Sequence, residues 1–365
     1  MSLPAAVVAY CRAGFEAEAA LDLARIAARA EWPLTVDAVP GAAYVAAHAR
    51  QHGDVPAWDR AGAAAAPIFT RSIVIGGGPV ALTDAPATGA RVDRVSPLVA
   101  AIDALAEQRA HAPPWRSVWL EYPDTNEGKA LSPLARALGS RIEGALRSRG
   151  ALAEGAARRL RVFLPDGRRA YVGTSLAGRG DWPLGIPRLR MPGAAPSRST
   201  LKLAEAFAVF LGDDEARLLR PGQRAVDLGA APGGWTWQLV QRGLRVTAVD
   251  NGRLRGEIAG DPLVTHVRED GLKWRPRRPV DWLVCDIVEQ PLRIAELVAG
   301  WIADGAARRA IFNLKLPMKR RYDEVRRCEQ RIGAVLAGAG LRHALSVRHL
   351  YHDREEVTAY LARLD

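Results

Sequence analysis

The chain has 365 residues, of which 48% are apolar and 25% charged. This is the balance of a globular protein with room for two or three domains of about 150 residues each, which excludes a peptide, a fibre or a largely disordered chain. Cys11, Cys285 and Cys328 lie far apart with no CxxC spacing, excluding a disulfide framework, a zinc ribbon and a radical iron-sulfur site. No basic leader precedes an apolar core, and no charge-free apolar stretch approaches the ~20 residues of a bilayer span, so a cytoplasmic protein without a membrane partner is expected.

Read in chain order, residues 5–10 form an apolar strand and residues 15–29 an amphipathic helix. Strand-like segments follow at 43–47 and 72–75, then a helix over 97–107. A strand at 118–121, the loop 124–128 and a helix over 132–147 lead into a hairpin. The hairpin pairs 160–164 with 170–173 across Pro165-Asp166-Gly167, a strong turn signal. Strands and helices in this order, with basic residues on the helix, suit an α+β RNA-binding module. Residues 177–198 hold Pro, Gly, Arg and Trp182 without periodicity and read as a linker; either they grip phosphates and stack on a base, or they are a packed connector. From residue 199 to 365 the pattern is βαβ. Strands fall at 224–228, 245–249, 264–267, 280–285 and 310–314, separated by helix or loop, with two more near 345–349 and 357–361. A doubly wound α/β sheet is expected, with its ligand beyond the strand carboxyl ends.

Charge is unevenly distributed. Fifty-one Lys and Arg against forty Asp and Glu give +11, and residues 130–199 alone hold thirteen Arg against four acids, or +9. A solvated arginine-rich surface is the plain reading, but the localisation points to a nucleic-acid partner. Lysine occurs only five times, at Lys129, Lys202, Lys273, Lys315 and Lys319. In a chain that writes Arg wherever charge suffices, a retained Lys is a candidate for chemistry that needs proton loss.

The segment from Val226 to Trp235, VDLGAAPGGW, sets a glycine-rich turn between a strand and a helix. Its spacing is G-x-x-x-G-G, not the G-x-G-x-x-G of a pyrophosphate binder. Asp250, 21 residues after Gly229 and at the end of the next strand, is placed to accept from ribose hydroxyls. A nucleoside cofactor without a pyrophosphate fits, S-adenosylmethionine being the obvious one. Glu269-Asp270 after the third strand would reach the adenine edge.

Four positions then fall at strand ends or a helix start: Lys202, Asp286, Lys315 and the pair Glu355-Glu356. Each alone reads as an ordinary surface or cap residue; together they suggest a catalytic tetrad in one crevice. Methyl transfer is an in-line displacement, and a ribose hydroxyl needs a base, a role open to a neutral lysine. Burial and a neighbouring ammonium would favour the neutral form, while the carboxylates would oppose it. A pyrimidine C5 methylase would need a cysteine after Asp286, where Ile287-Val288-Glu289 stands instead, and Cys285 reads as core. The signature of an amino-methylase, Asn or Asp followed by Pro-Pro and an aromatic, is absent.

These runs, with 195–203 (APSRSTLKL), 249–252 (VDNG), 312–319 (FNLKLPMK) and 351–358 (YHDREEVT), resemble the bacterial 23S rRNA cytidine 2′-O-ribose methyltransferases of the RlmM type over nearly the whole chain. The resemblance implies a ferredoxin-like and THUMP RNA-binding region over 1–176 and a Rossmann-like S-adenosylmethionine-dependent methyltransferase domain over 199–365. It implies Lys315 as proton acceptor with Lys202, Asp286 and Glu356, and a cofactor held by Ser199, Ala231, Pro232, Gly233, Gly234, Asp250, Asp270 and Asp286. Ala231 stands where that family often has Cys. Of the adjacent glutamates, Glu356 is chosen because it directly precedes the apolar strand. Lys319 is the reserve base. The partner implied is 23S rRNA or a pre-ribosomal particle, its target a cytidine of the peptidyl-transferase loop, bound by a monomer without a metal. Arg136, Arg141, Arg147, Arg149, Arg158, Arg159 and Arg161 would hold the RNA backbone. A THUMP-type enzyme acting on tRNA or another rRNA nucleotide, or a non-catalytic assembly factor, are the alternatives.

Overall fold

The computed structural model describes residues 3–82, 92–178 and 180–364. The chain divides into two compact units, Met1–Ile186 and Pro187–Asp365. The first contains β1 (Ala5–Tyr10), α1 (Glu16–Arg29), β2 (Thr35–Asp37), β3 (Tyr44–His48), α2 (Val55–Ala65), β4 (Ser72–Ala81), α3 (Val95–Ala106), β5 (Val118–Glu121), α4 (Asn126–Lys129), α5 (Ser132–Ser148), β6 (Arg158–Phe163) and β7 (Arg169–Leu176). They form one seven-stranded sheet in the order β2-β3-β1-β4-β7-β6-β5. Among the described strands, only the β5–β6 pair is parallel. β1 is paired on both edges, by β3 and β4, and buried on both faces along its whole length, which is why it reads as a continuous apolar run. Leu138, Ile142 and Leu146 line the buried stripe of α5 and meet Leu160, Val162 and Val172 of the sheet, a spacing of four residues that keeps one helix face inward. The hairpin turn is fixed by Asp166, whose carboxylate accepts from the backbone amides of Arg168 and Arg169 at 2.8 and 3.0 Å. α2 was not legible as a helix; its start is set by the Asp54 cap, which accepts from the Ala57 amide at 3.1 Å, with Pro56 in the first turn.

The arginines of β6 correct the sequence reading. Arg161 is fully buried and its guanidinium donates to both carboxylate oxygens of Glu121, at 2.6 and 2.8 Å. Arg159 donates to Asp181 at 2.8 Å and lies 3.6 Å from the Trp119 ring centroid. Arg158 donates to Asp59 at 2.6 Å. Successive residues of β6 from Arg159 to Phe163 are buried, so both of its faces are covered, and the charges are neutralised internally instead of facing RNA. The arginines left exposed are Arg136, Arg141, Arg147 and Arg149 on α5 and just beyond it. Residues 177–186, expected as linker, return to this unit: the Leu184 amide donates to Glu121 at 2.6 Å, and Leu184 and Ile186 are buried.

The second unit contains α6 (Thr200–Phe210), α7 (Glu215–Leu218), β8 (Arg224–Leu228), α8 (Gly234–Val240), β9 (Arg245–Val249), β10 (Val264–Val267), β11 (Val280–Cys285), α9 (Pro291–Ala303), β12 (Ala307–Lys315), α10 (Arg321–Gly338), β13 (His343–Arg348) and β14 (Glu356–Arg363). Its sheet runs β10-β9-β8-β11-β12-β14-β13. The first five strands are parallel, and β14 is antiparallel to both neighbours. This is a Rossmann-type doubly wound fold, with chain order reversing at β8. Phe207, Leu239, Trp282 and Ile311 belong to the core on one face, and α9 packs on β12 with α10 beside it. The carboxyl ends of β8, β9, β11 and β12 therefore open on one edge, where antiparallel β14 also begins. Among the described residues, no helix is long and apolar enough to cross a membrane.

Candidate active site

The glycine turn leaves β8 at Leu228. Gly229 has φ +78°, and a Cβ there would lie 2.9 Å from Ile287 Cγ1, so no larger residue fits between the turn and the loop after β11. A Cβ on Gly234 would lie 2.4 and 2.5 Å from the hydroxyl oxygens of Ser199 and Ser197. Those hydroxyls are themselves paired at 2.7 Å. The turn is thus pressed against the segment leading into α6. Asp250 closes β9 and organises the turn: one carboxylate oxygen accepts from the Ala231 amide at 3.0 Å, the other from the Gly252 amide at 2.7 Å. Asp250, Ala231, Pro232 and Ser199 remain partly exposed, whereas Gly233 and Gly234 are buried. Asp270 is exposed beyond β10 and accepts from the Leu272 amide at 2.9 Å.

Beneath the turn lies Asp227, fully buried. Thr236 donates to one of its oxygens at 2.6 Å; the other has no partner. Burial pushes this carboxyl up to about 7.

Lys202, Asp286, Lys315 and Glu356 meet beside that turn. Lys315 closes β12, and Glu356, opening β14, is its cross-strand partner. Asp286 follows β11, its amide donating to the Leu228 carbonyl at 3.2 Å. Lys202 stands in the first turn of α6. The Lys315 ammonium donates to Asp286 Oδ1 at 2.6 Å and to Glu356 Oε2. Lys202 pairs with Glu356 Oε1 and lies 3.5 Å from Asp286 Oδ2. Each carboxylate therefore bridges the two amines, and the four formal charges cancel. Burial pushes the Lys315 amine down, but the charges and hydrogen bonds of Asp286 and Glu356 outweigh it, and the net displacement is upward. Glu355 points away, exposed and paired with Arg321 at 2.9 Å, as strand alternation requires. Lys319 is exposed on the following loop.

Three residues that the sequence reading passed over support this set. Asn313, fully buried on β12, donates to Asp286 at 2.9 Å. Glu205 of α6, also buried, accepts from the amides of Tyr351 and His352 at 2.7 and 2.9 Å and so holds the segment before β14. Asp353 is buried in that same segment. The available signal was Asn313 as the one polar residue between Ala310 and Leu314; Glu205 and Asp353 carry none. Cys285 is fully buried and its thiol is pushed up to about 12, which removes it as a nucleophile.

The family description "FtsJ-like methyltransferase" matches residues 195–305, and "Ribosomal RNA large subunit methyltransferase M, N-terminal" matches 93–176. A relative from Methylococcus capsulatus, named Ribosomal RNA large subunit methyltransferase M, is 48% identical over 99% of this chain and 99% of its own. The chain belongs to the ribosomal RNA large subunit methyltransferase M family. Another member, from Laribacter hongkongensis, is 55% identical over 74% of this chain and 76% of its own. Among solved structures, TrmN from Thermus thermophilus aligns over 99% of this chain and 100% of its own at 17% identity and TM-score 0.35, too loose a superposition to carry an argument. The FtsJ-like stretch takes in Lys202, the glycine turn and Asp286 but stops before Lys315 and Glu356, so the complete set of four rests on tertiary geometry.

Proposed function

We propose that the chain transfers a methyl group from S-adenosylmethionine to the ribose 2′-oxygen of a cytidine in 23S rRNA, with Lys315 as proton acceptor. The carrying observation is that the Lys315 amine meets Asp286, Glu356 and Lys202 next to a glycine turn with no pyrophosphate fingerprint. The rRNA substrate comes from the relatives' names, and the cytidine from the resemblance to RlmM-type enzymes.

The residues of the turn fit such a cofactor. Glycines keep side chains off the approach, Asp250 holds the turn and keeps an exposed edge for ribose hydroxyls, and Ser199, Ala231, Pro232, Gly233, Gly234 and Asp270 complete the cradle. Bound there, the cofactor supplies an electrophilic methyl on a sulfonium. The protein then has to align the acceptor oxygen and remove its proton. Asp286 and Glu356 fix the Lys315 amine, and Lys202 shares their negative charge. Before substrate binds, Lys315 is an ammonium; a neighbouring sulfonium charge and the exclusion of water by RNA both favour the neutral amine that accepts the 2′-hydroxyl proton. Val288 and Met318, strongly exposed on the loops after Asp286 and Lys315, offer apolar contact to the target nucleotide.

The test is incubation of the purified chain with labelled S-adenosylmethionine and either undermodified 23S rRNA or tRNA, followed by digestion and nucleoside identification. The expected product is 2′-O-methylcytidine from 23S rRNA alone, abolished in Lys315→Ala while cofactor affinity is kept. A base-methylated nucleoside or a tRNA product would overturn the assignment, as would RNA binding without any product.

A further inference from the structure

Asn313 is fully buried within β12 and faces its cross-strand partner Thr358 on β14. Its amide nitrogen is 2.9 Å from Asp286 Oδ1 and 3.4 Å from Glu356 Oε2. Both neighbours are acceptors, so the NH2 group must face them and the amide oxygen must face Thr358. The Thr358 hydroxyl lies 2.9 Å from that oxygen and 3.0 Å from each carboxyl oxygen of Asp353. Asp353 is itself fully buried and accepts from the Leu350 amide at 3.0 Å.

A hydroxyl has one hydrogen. Given to Asp353, it would leave the buried Asn313 oxygen without a donor, which costs free energy. Given to Asn313, it leaves Asp353 facing a hydroxyl lone pair, which is a bond only when Asp353 carries the hydrogen. We infer that Asp353, as a neutral acid, donates to Thr358, Thr358 to Asn313, and Asn313 to the carboxylates of Asp286 and Glu356, a one-way chain that positions the two acids holding Lys315. Burial and the negative charges of Glu356 and Glu205 act in the same direction, raising the Asp353 carboxyl well above its ordinary range. Asn313 and Thr358 are positioning residues in this scheme, which rests on the methyl-transfer reading above.

The discriminating variant is Asp353→Asn. Its amide can donate to Thr358 and accept from Leu350, so kcat should stay within about threefold of the parent, since no bond in the chain is lost. Thr358→Val breaks the chain at equal volume and should lower kcat by about 10- to 100-fold, the cost of a misplaced catalytic group, with KM for rRNA and cofactor affinity within about twofold. Asn313→Ala should behave like Thr358→Val. The inference is overturned when Asp353→Asn loses as much kcat as Thr358→Val, or when Thr358→Val keeps full kcat. Carbon-13 NMR of the Asp353 carboxyl gives a readout independent of activity: its shift should stay at the protonated value from pH 5 to 8, and an ionised value there overturns the chain. A parent protein that methylates no RNA would overturn the functional reading alone, with the carboxyl shift still deciding the chain.

Discussion

Lys315 is held by two carboxylates at hydrogen-bond distance, and their charge outweighs the effect of burial on its amine. On the proposed function, the free protein therefore stores its general base in the protonated form, and the reactive form gains population as pH rises. On the proposed function, kcat should climb with pH on the alkaline side, and Asp286→Asn should move that limb to lower pH because one stabilising charge is gone. Lys315→Ala should lose about 100-fold or more in kcat, the usual weight of a positioned base, whereas Glu355→Gln, one residue from Glu356, should stay within about twofold, its carboxylate being exposed and turned away from the four. Asp227 gives a separate expectation about stability. Its folded carboxyl, at about 7, lies above an unfolded value of about 3.9. The stabilisation linked to its proton is full below the unfolded value and is lost as pH rises through the folded one. The Tm advantage of Asp227→Asn over the parent should accordingly grow between pH 5 and pH 8, which ligand-free thermal melts would measure; a constant difference would contradict it.

At the level of elements, two of the buried acids, Glu205 and Glu121, act as anchors between segments distant in sequence. Glu205 ties α6 to the loop that delivers Glu356, accepting from two backbone amides and from the His352 ring at 2.6 Å. Glu205→Ala should cost about 3 kcal/mol by leaving those donors unpaired, and amide hydrogen exchange at Tyr351 and His352 should accelerate ahead of the rest of the second sheet. Glu121 joins β5 to β6, residues 181–186 and β1 through Arg161, the Leu184 amide and the Tyr10 hydroxyl at 2.9 Å. Truncating Arg161 to Ala should destabilise the first unit by about 3–5 kcal/mol, the cost of a buried charge left alone. Denaturant titration would show this, and an effect below about 1 kcal/mol would mean that water replaces the pair.

Across the whole molecule, the +11 charge is a poor guide to the RNA-facing surface until burial is known. Of the arginines in the basic stretch, those on β6 are consumed by Asp59, Asp181 and Glu121, and those on and beside α5 stay exposed. Replacing Arg136, Arg141 and Arg149 with Gln should weaken RNA binding at low salt and reduce the steepness of its logarithmic salt dependence by about two to three, with Tm unchanged. Filter binding at several salt concentrations would measure both, and an unaltered slope would place the phosphate contacts elsewhere.

The sequence by itself determined the strand order of chemistry: the glycine turn after one apolar run, Asp250 after the next, and Lys315 closing a third, because each follows from local periodicity and turn residues. The scarcity of lysine marked Lys202 and Lys315, and alternation along β14 separated Glu356 from Glu355. Only the tertiary structure decided that the four side chains share each other's charge, since Lys202 and Glu356 meet through an antiparallel strand whose pairing is non-local. It also decided which charges are spent inside the protein. Arg161 and Glu205 read as surface residues in any one-dimensional pattern, and only the sheet neighbours and packed helices that cover them reveal that they are buried and paired.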